Sequence, residues 1–313
     1  MEAGTQAVGA APGARALGVR RRRWGEEAIR AALFLAAAIS VLTTILIVVA
    51  LLNESISFFR EVGTSFITDS EWSPLFSEPQ FGIRPLLVGT FLITGIAILV
   101  AVPIGLGSAV YLSEYASPRV RRIVKPVLEV LVGVPTIVFG YFALTFVTPT
   151  ILQDILNLNV QVFNALAAGL VMGIMIVPTI ASISEDSMRA VPQGLREGAY
   201  GLGATKRQVA TKVVFPAAIS GIVASIVLGI SRGVGETMIV LIAAGLSPSS
   251  SVNPLEGHAT ITTFMGATAK GDNPAGTIGY ESIFACGLTL FVLTLLMNMV
   301  AIRFVRKYRE VYE

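Results

Sequence analysis

Long stretches without a charged residue recur along this 313-residue chain, and they constrain its fold more than any other feature. A helix needs about 20 predominantly apolar residues to cross the ~30 Å hydrocarbon core of a bilayer. The strands of a transmembrane barrel would be ~10 residues long with alternating polarity, a pattern that does not occur here. The runs therefore predict an all-α, polytopic membrane protein with six transmembrane helices, at 31–52, 85–113, 130–153, 155–184, the interrupted pair 213–231 and 237–255, and 282–302.

Composition agrees with residence in a membrane. The chain is 54% hydrophobic and 14% charged, whereas soluble domains are about a quarter charged. The first apolar run is longer than the apolar h-region of a signal peptide, which has about 7–15 residues, so we expect it to be retained. One cysteine (Cys286) and one histidine (His258) exclude an intrachain disulfide, a cysteine-based metal site and a multi-histidine cluster. We expect neither a metal nor a cofactor in this chain.

The basic residues are distributed unequally between the two sides of the membrane that these crossings define. With the amino terminus inside, 19 of the 23 Lys and Arg residues are cytoplasmic, Arg60, Arg84 and Lys270 lie outside, and Arg232 remains in the membrane. Cytoplasmic loops carry an excess of Lys and Arg, so both termini are predicted to be cytoplasmic and the chain to be a multi-pass protein of the cell (inner) membrane. The charges are scattered at helix ends, which argues against a nucleic-acid partner.

These patterns divide the chain into four segments. Residues 1–27 form a Gly- and Ala-rich cytoplasmic tail that is predicted to be disordered. Residues 28–84 hold the first transmembrane helix and an outer loop. Residues 85–303 form a five-helix core that contains a cytoplasmic loop at 184–216, and 304–313 form a second cytoplasmic tail.

The cytoplasmic loop at 184–216 contains apolar residues that a solvated linker would not need. Pro192 suits a helix start, and Thr205 can cap a second helical segment after the break at Gly201 and Gly203. Apolar residues recur between them at helical spacing, at Leu195, Ala199 and Leu202. The pattern predicts a helix–turn–helix outside the bilayer. It rests either on the membrane or the protein's own helices, or it forms a docking surface for a cytoplasmic partner.

The same loop carries a specific family resemblance. Glu197-Gly198-Ala199, three residues, Gly203, nine residues and Val213-Val214-Phe215-Pro216 resemble the EAA loop of ABC-importer permeases, E-A-A-x3-G-x9-I-x-L-P. The departures at Gly198, Val213 and Phe215 are mild. In that family the loop forms a coupling helix that inserts into the ATPase subunit. The resemblance thus implies coupling roles for Glu197, Gly198, Ala199, Gly203 and Pro216.

The ATPase is expected to be a separate chain, so that this chain is not an enzyme. None of the five lysines follows a glycine, and a Walker A G-K-[ST] motif is therefore absent. ATP would bind to the partner subunit.

Further segments resemble the permeases of phosphate-specific importers: "FGIRPLLVGT" (81–90), "AVPIGLGSAVYLSEYASP" (101–118), "LEVLVGVPTIVFGYFAL" (128–144) and "GVGETMIVLIAAG" (233–245). The outer stretch "TSFITDSEWSPLF" (64–76) and Met238 are more similar to the C-type than to the A-type subunit. The resemblance implies an ABC type I importer permease fold, phosphate as substrate, a heterodimer with a sister permease subunit, two ATPase subunits and an extracytoplasmic phosphate-binding protein.

Two full charges, Arg232 and Glu236, interrupt the fifth apolar run. A charge at the bilayer centre costs at least ~2.5–3.5 kcal/mol and usually faces a bundle interior or an aqueous pathway. At i, i+4 on one helix the two are expected to be adjacent and partly to neutralise each other. One interpretation is a buried ion pair that fixes packing. In the other, which the resemblance supports, Arg232 offers a fork of donors to an oxyanion, Glu236 orients it, and Ser231 and Thr237 add hydroxyl donors.

Other interpretations of the chain remain open at this point. Gly229-Ile230-Ser231-Arg232-Gly233 matches G-x-S-x-G of serine hydrolases, but it lies mid-helix instead of in a strand–turn–helix, and His258 is expected to be a solvated loop residue. A channel or secondary transporter would not need the coupling loop. An ABC permease for sulfate or molybdate would share it. As one straight helix, Ala217 to Gly245 would span about 43 Å, so this segment must tilt, break near its glycines or protrude.

Overall fold

The computed structural model describes residues 24–74, 76, 78–271, 274 and 276–307. These residues divide into two compact units, with the boundary between Val49 and Ala50. The predicted disordered tail lies outside the described residues as far as residue 23, as do residues 308–313 of the second tail and Leu75 of the outer stretch 64–76. Helix α1 (Trp24–Val62) starts before the boundary predicted at residue 28, so that residues 24–27 are helical.

Helices make up most of the described chain beyond α1. They are α2 (Ser65–Thr68), α3 (Arg84–Val110), α4 (Pro118–Val132), α5 (Thr136–Phe142), α6 (Ala165–Arg189), α7 (Gln193–Gly201), α8 (Lys206–Gln208), α9 (Phe215–Ala217), α10 (Ile219–Val234), α11 (Met238–Ala243), α12 (Ile261–Thr268) and α13 (Ile278–Lys307). Three π-helical segments continue α3, α5 and α8, at Tyr111–Tyr115, Ala143–Ile155 and Val209–Val214. Two short strands, β1 (Trp72–Ser73) and β2 (Gln80–Phe81), pair antiparallel in the outer loop.

Six candidate membrane spans occur among the described residues if one bent pair of helices is counted as a span. Five are single helices: Gly25–Val62, Arg84–Tyr115, Thr136–Ile155, Ala165–Arg189 and Ile278–Arg306. The pair is Lys206–Ala217 and Ile219–Val234, whose axes differ by 71°. The all-α fold and the number of continuous crossings agree with the sequence prediction, but the fourth crossing begins at Ala165 and not at residue 155. The fifth crossing differs, since it is bent near its amino-terminal end and stops at Val234.

The third crossing begins later than its apolar run predicts. Residues 118–132 form the separate helix α4, none of whose residues is buried, and the span starts only at Thr136. Pro135 explains the difference, because proline disfavours a helical conformation at the preceding residue. Pro135 itself is extended, with φ −58° and ψ 131°. The run 130–153 therefore joins the end of one helix to the whole of the next.

Helices α3 and α6 pack together through small residues at the centre of the second unit. A Cβ placed on Gly173 of α6 would lie 2.8 Å from Val100 Cβ and 2.9 Å from the Ala97 carbonyl oxygen of α3. One turn away, a Cβ on Gly169 would lie 2.7 Å from Ile96 Cβ. This small-xxx-small spacing lets the two helix backbones approach closely. Helix α10 packs against α6 as well.

Candidate functional site

A break in the fifth crossing positions the two membrane charges. Helix α10 ends at Val234, and the Gly235 amide closes the last turn by donating to the Ser231 carbonyl oxygen at 3.2 Å. Helix α11 begins at Met238, so Glu236 lies in the short connection between the two helices. The expectation that this segment breaks near its glycines is confirmed. Glycine lacks a Cβ and is a common residue at such helix ends.

Glu236 stabilises the start of α11. Its Oε1 accepts hydrogen bonds from the backbone amides of Met238 at 3.0 Å and Ile239 at 3.2 Å. The residue is 8% exposed, and its carbonyl oxygen accepts a bond from Thr262 Oγ1 of α12 at 2.7 Å. A carboxylate at a helix amino terminus satisfies amides that have no partner within the helix and interacts favourably with the helix dipole.

Arg232 occupies the last turn of α10 and is half-buried. Its Nη1 donates to Thr179 Oγ1 of α6 at 3.1 Å. The expected ion pair with Glu236 is not among those formed by the described residues. The i, i+4 expectation was wrong here because α10 ends before Glu236, which then turns toward α11. Arg232 is thereby left with a neutral partner.

The two hydroxyl residues of the predicted site point elsewhere. Ser231 Oγ donates to Asn298 Oδ1 of α13 at 3.4 Å, and Thr237 Oγ1 donates to the Gly235 carbonyl oxygen at 3.5 Å. Each of the four predicted residues therefore contacts a different group around one helix break. Thr179 was not among the predicted site residues, although a polar residue next to Pro178 in an apolar helix is a usable signal.

Packing fixes the face that α10 turns toward its neighbours. A Cβ on Gly229 would lie 3.0 Å from Ile176 Cγ2 of α6, and one on Gly233 would lie 3.1 Å from Thr94 Cγ2 of α3. The Gly229-x3-Gly233 spacing thus lies on the surface of α10 that contacts α3 and α6. Because this contact is close, Arg232 is held beside α6 at the level of Thr179.

The only histidine is buried instead of solvated, contrary to the expectation for a loop residue. His258 is fully buried, with Nε2 2.8 Å from the Ser251 carbonyl oxygen and Nδ1 3.1 Å from that of Glu256. Both ring nitrogens are engaged by the backbone of its own loop. A base that activated Ser231 would need a free nitrogen within hydrogen-bond reach of that hydroxyl. This geometry does not favour a hydrolase.

The loop at 184–216 forms the predicted helix–turn–helix. Pro192 precedes α7, and Gly203 adopts φ +82° in the turn. Thr205 then caps α8 in a capping box with Gln208, as the sequence predicted. Pro216 lies in α9, where the chain bends toward α10. Glycine is required at the turn because other residues rarely adopt a positive φ.

The loop has one face that packs on the protein and one that is open. Ala199 packs against a cluster that contains Val209, Val214 and Met188. Leu202 is 92% exposed, and Leu195, Glu197 and Gly198 are also exposed. The loop thus packs on the protein's own helices and presents an apolar edge outward, while the docking interpretation stays a prediction.

Buried charges join the loop to the ends of the spans. Glu185 of α6, whose side chain is 1% exposed, pairs with Lys125 Nζ at 2.8 Å and Arg121 Nε at 3.4 Å, both from α4. Lys125 also bonds Asp186. Burial lowers the pKa of Lys125, but the hydrogen bonds to Asp186 and Glu185 outweigh it, so the net pKa is raised and the amine is held as a cation. In α7, Arg196 pairs with Glu114 at 3.2 Å.

Comparisons with known proteins place the chain among transport permeases. Residues 101–310 match the family described as "Binding-protein-dependent transport system inner membrane component". The chain is 34% identical over 246 residues to the "Probable ABC transporter permease protein YqgH" of Bacillus subtilis strain 168, which covers 79% of this chain and 78% of that protein. It is 31% identical over 307 residues to the "Phosphate transport system permease protein PstC" of Haemophilus influenzae, which covers 92% and 95%.

Solved structures share the fold at lower sequence identity. A chain of a bacterial alginate ABC transporter in complex with its alginate pentasaccharide-bound periplasmic protein matches with a TM-score of 0.61 and 16% identity, over 94% of this chain and 100% of that chain. A chain of the MetNI methionine ABC transporter in an inward-facing conformation matches with a TM-score of 0.54 and 19% identity, over 73% and 95%. These matches show the ABC importer permease fold.

Proposed function

The chain belongs to the family of binding-protein-dependent transport system inner membrane components, and from that premise we propose that it is the phosphate-translocating permease subunit of an ATP-driven importer. It corresponds to the C-type subunit, because PstC permeases at 31–33% identity align with most of its length. The protein lies in the cell membrane with both termini in the cytoplasm. ATP hydrolysis belongs to a separate subunit.

The half-buried Arg232 carries the proposal for the substrate. A guanidinium presents several N–H donors in a planar fork that matches phosphate bidentately. Within the described part of the chain, Thr179 takes one of these donors, and no carboxylate pairs with the group. The remaining donors can replace water around an anion. Because the partner is a neutral hydroxyl, Arg232 keeps its full positive charge for the substrate.

Glu236 supports the same site from the other side of the break. Its carboxylate is committed to the amides of α11, so it fixes the connection that follows Arg232. Its negative charge also lowers the local positive potential, which keeps a dianion from being bound too tightly for release. Ser231 and Thr237 border this site as secondary hydroxyl donors.

The exposed edge of α7 is the proposed docking surface for an ATPase subunit. Leu195, Leu202 and Glu197 lie on this edge, and Gly203 sets the turn that follows it. Gly198, Ala199 and Pro216 shape the loop and its connection to α10. The proposed assembly contains two ATPase subunits, a sister permease and an extracytoplasmic phosphate-binding protein.

Uptake of labelled phosphate into proteoliposomes tests the proposal. The vesicles contain the permease pair with the ATPase, and the binding protein and ATP are added or withheld. Uptake should require all of them and should be lost in Arg232→Gln, while the exposed Arg119→Gln on α4 should retain it. Competition by sulfate or molybdate equal to that by phosphate would assign another oxyanion. Full phosphate uptake by Arg232→Gln would reduce Arg232 to a packing residue.

A further inference from the structure

Arg196 is buried within the otherwise open helix α7. Its side chain is 11% exposed, whereas the neighbouring Leu195 and Glu197 are exposed. A buried guanidinium is costly unless it is paired and hydrogen-bonded. Because its neighbours on α7 are exposed, these partners must come from the helices that pack beneath the loop.

Those partners come from the cytoplasmic ends of two spans. Nη2 of Arg196 donates to the Met188 carbonyl oxygen in the last turn of α6 at 2.7 Å, and Nη1 donates to that of Val191, just beyond α6, at 2.5 Å. Nη2 also pairs with Glu114 Oε1 at 3.2 Å. Glu114 belongs to the π-helical segment that continues α3. One side chain thus joins α7 to the ends of both α3 and α6.

Three features of its surroundings stabilise this junction. The last carbonyl groups of a helix lack partners within the helix, and a cation at this end also interacts favourably with the helix dipole. The Glu114 side chain is 6% exposed, and hydrogen bonds are stronger in such surroundings than in water. The two spans are themselves in close contact through Gly169 and Gly173.

Helix α6 leads from this junction to the candidate anion site. Met188 and Thr179 lie nine positions apart on the same α-helix, which corresponds to about 14 Å along its axis. Thr179 accepts the hydrogen bond of Arg232. A displacement of α7 that is carried by Arg196 would therefore reach the surroundings of the guanidinium through one continuous helix.

We propose that Arg196 is a positioning residue that transmits movement of the ATPase-docking helix α7 to α3 and α6. This inference rests on the proposed function, since it assumes that α7 contacts an ATPase. The side chain of Arg196 faces the ends of the spans and not the exposed edge of α7. It converts a push on the loop into a joint movement of two spans.

Coupling between ATP hydrolysis and transport tests this role. Phosphate moved per ATP hydrolysed is measured in proteoliposomes that contain the complete importer, for Arg196→Ala, Arg196→Lys and Glu114→Gln. We expect this ratio to fall at least about fivefold in Arg196→Ala, the lower end of typical coupling between sites. Glu114→Gln should reduce it as well, and Arg196→Lys should restore it in part. Arg119→Ala, an exposed arginine on α4, is the matched control.

The outcomes separate this inference from the function on which it rests. A parent complex that hydrolyses ATP but moves no phosphate would contradict the proposed function. A parent complex that transports phosphate, together with an unchanged ratio in Arg196→Ala, would overturn only the role of Arg196. If Arg196→Ala no longer co-purifies with the ATPase, the transport ratio of Glu114→Gln tests the role instead. In that variant Arg196 keeps its hydrogen bonds to the end of α6. Loss of assembly in both variants would assign Arg196 to folding of the loop and would overturn the proposal.

Discussion

At the scale of single residues, Glu236 shows how a charge is stabilised within an apolar segment without a counter-ion. Two backbone amides of α11 donate to its carboxylate, and Thr262 holds its carbonyl oxygen. Hydrogen bonds to a charged group typically contribute about 1.5–3 kcal/mol. The local backbone, and not Arg232, therefore compensates for the lost hydration of this carboxylate.

Replacement of Glu236 separates this capping role from the role of its charge. Glu236→Gln keeps an amide oxygen that can accept from α11, so we expect an assembled complex with nearly unchanged thermal stability and no phosphate uptake. Glu236→Ala removes the acceptor and should in addition cost about 0.5–2 kcal/mol of stability, the usual effect of losing a helix cap. Thermal unfolding in detergent and uptake in vesicles measure the two effects. Normal uptake by Glu236→Gln would show that the negative charge has no part in transport.

Ser231 offers a second test at this scale. It donates to Asn298 and borders the proposed anion site, and both ring nitrogens of His258 are engaged by the backbone of their own loop. Ser231→Ala should therefore retain most phosphate uptake. A hydrolase would lose all activity with the same substitution, so a complete loss, in a complex that still assembles, would reopen that interpretation.

At the scale of helices, close contact between α3 and α6 depends on residues without side chains. Gly173→Ala places a methyl group against the Ala97 carbonyl oxygen and Val100, neither of which can move far. Overpacking of this kind typically costs about 1–3 kcal/mol. We expect a lower unfolding temperature for the purified complex. Gly95→Ala on α3 meets no atom within 4 Å and should be neutral or stabilising by up to about 1 kcal/mol. Equal effects of both substitutions would contradict this packing.

The turn after α7 can be tested in the same way. Gly203 has φ +82°, and a Cβ added there would meet no atom within 4 Å, so backbone strain alone opposes substitution. Left-handed backbone costs about 1–2 kcal/mol for other residues. Gly203→Val should leave the spans folded but lower phosphate transport per ATP hydrolysed. An unchanged ratio would remove this turn from the coupling role.

Most of these helices could be predicted from the sequence, but the groups that Arg232 and Glu236 contact could not. Hydropathy located the crossings because it reports which segments avoid water, and the capping pattern located Thr205 and the helix–turn–helix. Hydropathy does not report the direction of a helix axis. It therefore predicted the end of α4 and the whole of α5 as one crossing across Pro135, and it did not locate the bend before α10. It identified Arg232 and Glu236 as unusual. Thr179 and the amides of α11 became visible only when the break at Gly235 set where each charge points.

At the scale of the whole molecule, the orientation in the membrane is proposed from the distribution of basic residues and can be measured directly. Cys286 is fully buried, so the native chain should not react with a membrane-impermeant maleimide. A cysteine at Val252, which is 73% exposed in the outer loop, should be labelled from outside in intact cells. One at Leu202 should be labelled only in inverted vesicles. The reverse pattern would invert the proposed topology.

The half-buried guanidinium of Arg232 has a consequence for the lifetime of copies of this polypeptide that are made in excess. In a lone copy, a charge that costs at least ~2.5–3.5 kcal/mol near mid-bilayer has only Thr179 beside it in the described chain. Copies made in excess of the proposed sister permease should therefore be recognised by membrane proteases and turned over quickly. Pulse-chase labelling should show a longer lifetime when both genes are expressed in equal dosage.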